Sequence, residues 1–417
     1  MDKFVIQGGS KLYGQARLQA AKNAVLPLLA ASVLTDDPVT IRDLPNITDV
    51  ENMLHILSEL GCAISRANDA VSIDSKNAVS HEIPSTLTRE LRSSVFMLGS
   101  VLTRFRRAKI SYPGGCDIGL RPIDLHLSGL KRLGVTIIEE NGYVICSAER
   151  LRGADILLDF PSVGATENIL LAATRAKGIT TIENAAAEPE ICDLADFLRK
   201  MGAEIEGDGT DTITIRGGKE LHGAVHRVIP DRMEAGTFLA AAAITGGDII
   251  LENVQEEHLK PVLAKLAECN IKTERTAEGI RVRRRGRLCG VQVKTMPFPG
   301  FPTDMQAPFM SLLAVAKGTS VMTETIFENR FSHVGELQRM GANIKIDSRS
   351  AVIEGVETLT GAKVRATDLR AGAALILSAL AAKGETEISD IYHIERGYDR
   401  IDEKLRRLGA DIRREEE

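Results

Sequence analysis

Six cysteines in 417 residues (Cys62, Cys116, Cys146, Cys192, Cys269 and Cys289) are too sparse for a disulfide framework, and no CxxC pair occurs. The N-terminal segment, Met1 to Gly8, reads as a strand and has no apolar signal core. The longest apolar runs, at 24–34 and 371–382, fall short of the ~20 residues a bilayer span needs. A basic excess is also missing: the formal net charge is −5, which argues against a general nucleic-acid binder. No Walker A and no GxGxxG match is found, and no low-complexity segment. His222 and His226 are four apart, but Gly223 between them does not suggest a helix, and no HExxH or carboxylate partner is evident. The basic run RVRRRGR at 281–287 alternates like the outer face of a strand and lacks aromatic neighbours. These absences lead to the expectation of a cytoplasmic chain with reduced thiols, no metal, no nucleic-acid partner and no membrane insertion.

What is present is a repeat. Six times an alanine- and leucine-rich helix is followed by a strand, a loop, a second helix and more strand. Examples of the first helix with its following strand are LLAASVLTDDPVTI at 28–41, LAAAAITGGDIIL at 239–251 and LILSALAAKGETEI at 375–388. The second helices end at Leu60-Gly61, Leu133-Gly134, Met201-Gly202, Cys269-Asn270, Met340-Gly341 and Leu408-Gly409. Glycine, or asparagine in its place, is the residue that tolerates a left-handed helix C-terminus. Successive marks lie about 68 to 73 residues apart, the size of a small βαβ-type unit.

The chain is long enough for two or three domains, and 44% hydrophobic with 26% charged residues is ordinary for a globular protein. Six units in two sets of three predict two domains, 21–229 and 1–20 with 230–417, with a break in the glycine-rich stretch at 217–230. The pattern does not assign the first strand, at 4–6, to either half. The first helices are apolar almost all round and therefore buried on every side. The second helices are amphipathic, as in DLADFLRKM at 193–201 and YDRIDEKLRRL at 398–408. Buried helices, amphipathic helices and strands in this order give a layered α/β architecture.

Chemistry-bearing residues fall at two places on the repeat. At the N-termini of the first helices stand Lys22-Asn23, Arg92, Ser162-Val163-Gly164, Asp231-Arg232, Thr303-Asp304, and Asp368 with Arg370. In the loops before the second helices stand Cys116 with Arg121, Arg330, and Arg396. Any one of the cations Lys22, Arg92, Arg121, Arg330, Arg370 and Arg396 reads equally as a loop cap or an ion-pair partner. Six at equivalent ends argue for a small, highly anionic ligand, since guanidinium forks suit phosphate and carboxylate and helix N-termini attract anions. Cys116, flanked by Gly114-Gly115 and followed by Asp117-Ile118-Gly119, reads as an accessible loop thiol beside cations, which favour thiolate. The other five cysteines read as core or surface residues. Asp304 on position alone reads as a helix cap; facing a cationic cleft it would accept a proton from a substrate hydroxyl.

Eight segments in order carry a resemblance: Lys22-Asn23, Pro113-Gly114-Gly115-Cys116, Arg121-Pro122-Ile123-Asp124-Leu125-His126, Ser162-Val163-Gly164-Ala165-Thr166, Pro302-Thr303-Asp304-Met305-Gln306, Phe327-Glu328-Asn329-Arg330, Thr367-Asp368-Leu369-Arg370 and Tyr392-His393-Ile394-Glu395-Arg396-Gly397-Tyr398. Over its whole length the chain resembles the UDP-N-acetylglucosamine 1-carboxyvinyltransferases, a family of enolpyruvyl transferases. The resemblance implies a two-domain inside-out α/β barrel, three repeated units per domain, with the active site between the domains. It implies transfer of the enolpyruvyl group of phosphoenolpyruvate to the 3′-hydroxyl of UDP-N-acetylglucosamine, through a tetrahedral ketal, as the opening step of peptidoglycan synthesis. No metal or organic cofactor is implied.

Residue by residue, it implies that Lys22, Arg92, Arg121 and Arg396 surround the phosphate of phosphoenolpyruvate, and that Arg330 and Arg370 lie near its carboxylate. Cys116 would protonate C3 and react with fosfomycin, Asp304 would take the hydroxyl proton, and Asn23 would hold the sugar. Arg121, Pro122, Ile123, Asp124, Leu125, Ser162, Val163 and Gly164 would line the uridine site, with Ile326 also binding substrate. Two positions depart from the pattern of many members: Phe96 stands where they have Trp, and Phe160-Pro161 where they have a Lys. The nearest rival readings are a 3-phosphoshikimate 1-carboxyvinyltransferase and a non-catalytic nucleotide-sugar-binding paralogue. The loop cysteine and the Arg121 to Leu125 segment stand against the first, Cys116 and Asp304 against the second.

Overall fold

A computed structural model describes residues 2–67, 69–112, 123–284 and 286–416. Two compact units divide it. The first runs from Ala20 to Ile229; the second takes the chain up to Gln19 and from Pro230 onward.

Every sheet follows one recipe. A short edge strand pairs in parallel with a second strand, which continues antiparallel through two more. In the first unit, Asp155–Leu157 pairs in parallel with Gly178–Glu183, followed by Thr212–Gly217 and Glu204–Glu206. Between the first two strands runs the helix Val163–Ala173, the crossover that a parallel pair requires. In one sheet the edge strand shrinks to a single bridge, Glu82 to Lys109, beside Arg107–Ser111. The strand–helix–strand–helix–strand–strand order therefore holds along the chain only in the middle repeats. The first repeat borrows its edge: Val225–Arg227 returns to pair with Val39–Arg42. The last repeat borrows an inner strand: Lys3–Gln7 lies between Glu385–Ser389 and Asp411–Glu415, antiparallel to both. Tyr13–Arg17 then serves as the parallel edge beside Asp248–Glu252. The N-terminal strand thus belongs to the second unit, and borrowing fills edges that would otherwise present unpaired N–H and C=O groups.

Three apolar helices form the centre of each unit: Lys22–Ala31, Met97–Phe105 and Val163–Ala173 in the first, Arg232–Thr245, Gln306–Leu313 and Leu369–Ala381 in the second. Each unit has its own apolar core around them. The run from Leu369 to Leu380 is buried without interruption, as expected of a helix with no polar face. Close approach needs small residues. A Cβ on Gly99 would lie 2.4 Å from the Asn168 carbonyl oxygen, and the Gly99 N–H donates to Asn168 Oδ1 at 2.6 Å. The residues closing the second helices, Gly61, Gly134, Gly202, Asn270, Gly341 and Gly409, all have positive φ, the left-handed terminus expected of them.

One helix begins later than its periodicity predicts. The spacing of Tyr398, Ile401, Leu405 and Leu408 fits one helical face, but the helix is Ile401–Arg407 and Arg400 before it is left-handed (φ 46°). Tyr398 is instead buried in the preceding turn, where it meets polar partners described below. No helix among the described residues is long and apolar enough to cross a membrane.

Candidate active site

In the second unit three acids stand at the openings of the central helices, and they do different work. Asp231 accepts from the Met233 and Glu234 N–H groups at 2.7 and 3.0 Å, and Asp368 from Arg370 and Ala371 at 2.9 and 3.1 Å. Both are N-caps. Asp304, in the turn Thr303–Met305, points its carboxylate at two arginines. Arg330 Nη2 donates to Oδ1 at 2.7 Å, and Arg370 donates to Oδ2 through Nε at 3.1 Å and Nη2 at 2.8 Å. Both guanidinium groups are 4% exposed, while Asp304 is 27% exposed. The carboxylate therefore stays reachable while its partners are fixed. Burial disfavours charge on Arg370, but Asp304 and Asp231 outweigh it and hold the guanidinium firmly protonated. Arg330 sits over the Phe327 ring and Arg370 over that of Tyr398, at 5.7 and 5.5 Å from the ring centres. His333, buried beside Arg330, is pushed down to about 4 by burial and so is neutral at physiological pH. Arg396, half-buried, ends the short helix Tyr392–Glu395. Ile326 lies in the loop before Arg330, its N–H donating to Glu324 Oε1 at 2.8 Å.

In the first unit, Lys22 opens its helix buried, with Nζ 2.6 Å from Asp49 Oδ2. Asn23 beside it is exposed. Arg92 begins the turn Arg92–Phe96, which packs on both Lys22–Ala31 and Val163–Ala173. Ser162 caps the latter helix, accepting from Ala165 N at 3.3 Å. A Cβ on Gly164 would come 2.9 Å from His126 Cε1 and 3.2 Å from Phe96 Cε1. Gly164 thus lets the helix start close to both rings, including the phenylalanine at the Trp position. His126 is held in turn by Asn168, its Nδ1 3.1 Å from Asn168 Nδ2. Ile123, Asp124 and Leu125 lead into the helix Asp124–Arg132. A cavity of about 320 Å³ includes Leu125, but Asp155, Asp159 and Glu183 line it against a single arginine, Arg132. That charge balance would repel a diphosphate.

Cys116, Arg121 and Pro122 lie outside the described residues. The remaining cysteines are protected: Cys62, Cys146 and Cys269 are buried, Cys192 and Cys289 half-buried. Burial, with nearby acids, pushes the Cys146 and Cys269 thiols up to about 12 and Cys192 up to about 11, far from thiolate at neutral pH. The basic run at 281–287 is largely neutralised by acids, with Arg281 on Asp248 and Arg283 on Glu274. Among the described residues no group of three His, Cys, Asp or Glu is arranged for a metal ion.

Sequence reasoning missed Asp49, Tyr398 and Glu167. Asp49 was visible as an acid in the first turn of an amphipathic helix, Thr48–Glu59, but nothing local names Lys22 as its partner. Glu167 is fully buried, and neither carboxyl oxygen has a hydrogen-bond partner among the described residues. Burial, then the charges of Glu190 and Glu188, push it well above the ordinary 4.5. The folded chain therefore keeps a proton there that the unfolded chain releases, so stability falls as pH rises from the unfolded value through the folded one. Glu167→Gln removes this dependence. Its melting temperature should rise relative to wild type as pH goes from about 5 to about 8; a constant difference across that range would contradict the assignment.

Comparison with known proteins agrees with this arrangement. The chain belongs to the EPSP synthase (3-phosphoshikimate 1-carboxyvinyltransferase) family of transferases, whose pattern it matches over residues 6–405. It is 54% identical over 414 residues to the UDP-N-acetylglucosamine 1-carboxyvinyltransferase 1 of Caldanaerobacter subterraneus subsp. tengcongensis, covering 99% of both chains. Its fold matches the crystal structure of the enolpyruvyl transferase NikO from Streptomyces tendae (TM-score 0.90, 27% identity, 99% and 98% of the two chains). The EPSP synthase of Acinetobacter baumannii shares the fold at 19% identity (TM-score 0.77, all of both chains).

Proposed function

We propose that this chain transfers the enolpyruvyl group of phosphoenolpyruvate to the 3′-hydroxyl of UDP-N-acetylglucosamine, releasing phosphate. The observation that carries the reading is Asp304: an accessible carboxylate at the opening of a buried helix, aimed by two fixed guanidinium groups rather than spent on a cap. Identity of 54% along the full length to a protein of that name supports the choice of acceptor over shikimate 3-phosphate.

In this reading Asp304 takes the proton of the sugar hydroxyl as its oxygen attacks C2 of phosphoenolpyruvate, and Cys116 delivers a proton to C3. The tetrahedral ketal then loses the C3 proton and expels phosphate, restoring the double bond. Lys22, Arg92, Arg121 and Arg396 hold the phosphate, and Arg330 and Arg370 take the carboxylate side. Asn23 holds the sugar. Arg121, Pro122, Ile123, Asp124, Leu125, Ser162, Val163 and Gly164 take the uridine end, with Ile326 against the substrate. Cations held in place before the reaction stabilise charge as it develops, without reorganising. The Lys22–Asp49 pair supplies this for one of them: the ammonium is fixed and its charge supported by a carboxylate that is itself buried. No cofactor or metal enters these steps. The reading makes this the opening step of peptidoglycan synthesis, in the cytoplasm.

The test is alkylation by fosfomycin, an epoxide analogue of phosphoenolpyruvate. Cys116 should be labelled, and faster with UDP-N-acetylglucosamine present, while the five protected thiols stay unmodified by peptide mass spectrometry. Equal labelling at Cys192 or Cys289, or no effect of the nucleotide sugar, would overturn the reading.

A further inference from the structure

We propose that Gln19 and Tyr398 are positioning residues for Asp304, acting through Arg370; the inference rests on the role given to Asp304 above. The argument is a chain of hydrogen bonds in which each donor and acceptor is forced by the next. Thr237 Oγ1 donates to the Met233 carbonyl at 2.8 Å, so its hydrogen is used. The Tyr398 hydroxyl, 2.9 Å from Thr237 Oγ1, must then donate to Thr237, which leaves its oxygen to accept from Arg370 Nη1 at 3.0 Å. With Nη1 committed, Arg370 presents Nε and Nη2 as a pair to Asp304 Oδ2. The plane of the guanidinium, and with it the carboxylate, is set by Tyr398.

Tyr398 is 2% exposed yet lies in a turn, outside any helix that would hold it. Gln19 holds that turn from both sides. Its Nε2 donates to the Gly397 carbonyl and its Oε1 accepts from the Asp399 N–H, each at 2.8 Å. One contact needs a donor and the other an acceptor, so the amide has one orientation only. The Gln19 backbone is tied as well: its N–H donates to Glu234 Oε2 at 2.7 Å and its carbonyl accepts from Asp231 N at 2.9 Å. Glu234 is fully buried, and its other oxygen takes Lys404 Nζ at 2.6 Å. Gln19 is thus anchored before it clamps, and the residue at the end of one borrowed segment fixes a carboxylate some 285 positions away in sequence (304 − 19).

The experiment measures phosphate release by the full chain with phosphoenolpyruvate and UDP-N-acetylglucosamine, for wild type, Tyr398→Phe, Gln19→Ala and the double variant. Tyr398→Phe deletes one oxygen and leaves the ring in place, so it tests the relay if Gln19→Ala folds poorly. Each single variant should lose roughly 10- to 100-fold in kcat, the scale of a misplaced catalytic group, with KM for the nucleotide sugar unchanged. The double variant should be no slower than the slower single, because both changes cut one chain. Single variants within twofold of wild type, or losses that multiply in the double, would overturn the inference while leaving the proposed function standing. A wild-type chain that releases no phosphate would overturn both.

Discussion

Asp304→Asn should lower turnover about a thousandfold, within the range attributed to a positioned general base, and the loss should fall on kcat. The variant keeps the shape of the side chain but not the charge that can take a proton. It also disturbs the arginines. Arg330 and Arg370 are almost completely buried, and Asp304 is the carboxylate that both of them touch. Removing one partner of a buried ion pair costs ~3–5 kcal/mol; because Asp304 is partly exposed, a value at or below the lower end is expected here. Urea denaturation should show this loss alongside the kinetic one. The two effects separate in a variant that keeps the charge: Asp304→Glu should recover more stability than activity, because its carboxylate can still meet the guanidinium groups but from a shifted position. Turnover of Asp304→Asn within tenfold of wild type would remove Asp304 as the proton acceptor.

Cys116→Ala should abolish phosphate release, while UDP-N-acetylglucosamine still binds with an affinity close to that of wild type by calorimetry. The thiol is assigned to proton delivery at C3, so its loss acts on chemistry rather than on recognition, which rests on other residues. Loss of a general acid is worth about 10²- to 10⁴-fold. Cys116→Asp supplies another acid at the same place, so it should restore turnover yet resist alkylation by the epoxide. Full activity of Cys116→Ala would take the thiol out of the mechanism; loss of nucleotide-sugar binding would make it a recognition residue instead.

The sequence disclosed what repeats and concealed what pairs across distance. The glycine or asparagine after each second helix was readable because left-handed backbone restricts composition locally, and all six positions have positive φ. The burial of the central helices was readable because a helix apolar on all faces has nowhere else to go. Asp304 was readable only as a position. A cap and a base occupy the same place in a pattern, and only the contact with Arg330 and Arg370, 26 and 66 residues away, tells them apart from each other. Asp231 and Asp368 stand in similar places and are caps. Tyr398 was misread because its spacing fits a helical face, whereas Gln19, 379 positions earlier by subtraction, holds it in a turn. The borrowed strands failed for the same reason: pairing of Lys3–Gln7 with Asp411–Glu415 leaves no local mark. Charge in the loops gave the ligand class, but Asp49 beside Lys22 shows that part of each cation's surroundings is set by residues that no motif names.

The most direct test of the whole account is the choice of acceptor. Phosphate release from phosphoenolpyruvate should be measured with UDP-N-acetylglucosamine and, separately, with shikimate 3-phosphate. The account predicts turnover with the nucleotide sugar and none above background with the shikimate; the reverse preference, or no release with either, would contradict it.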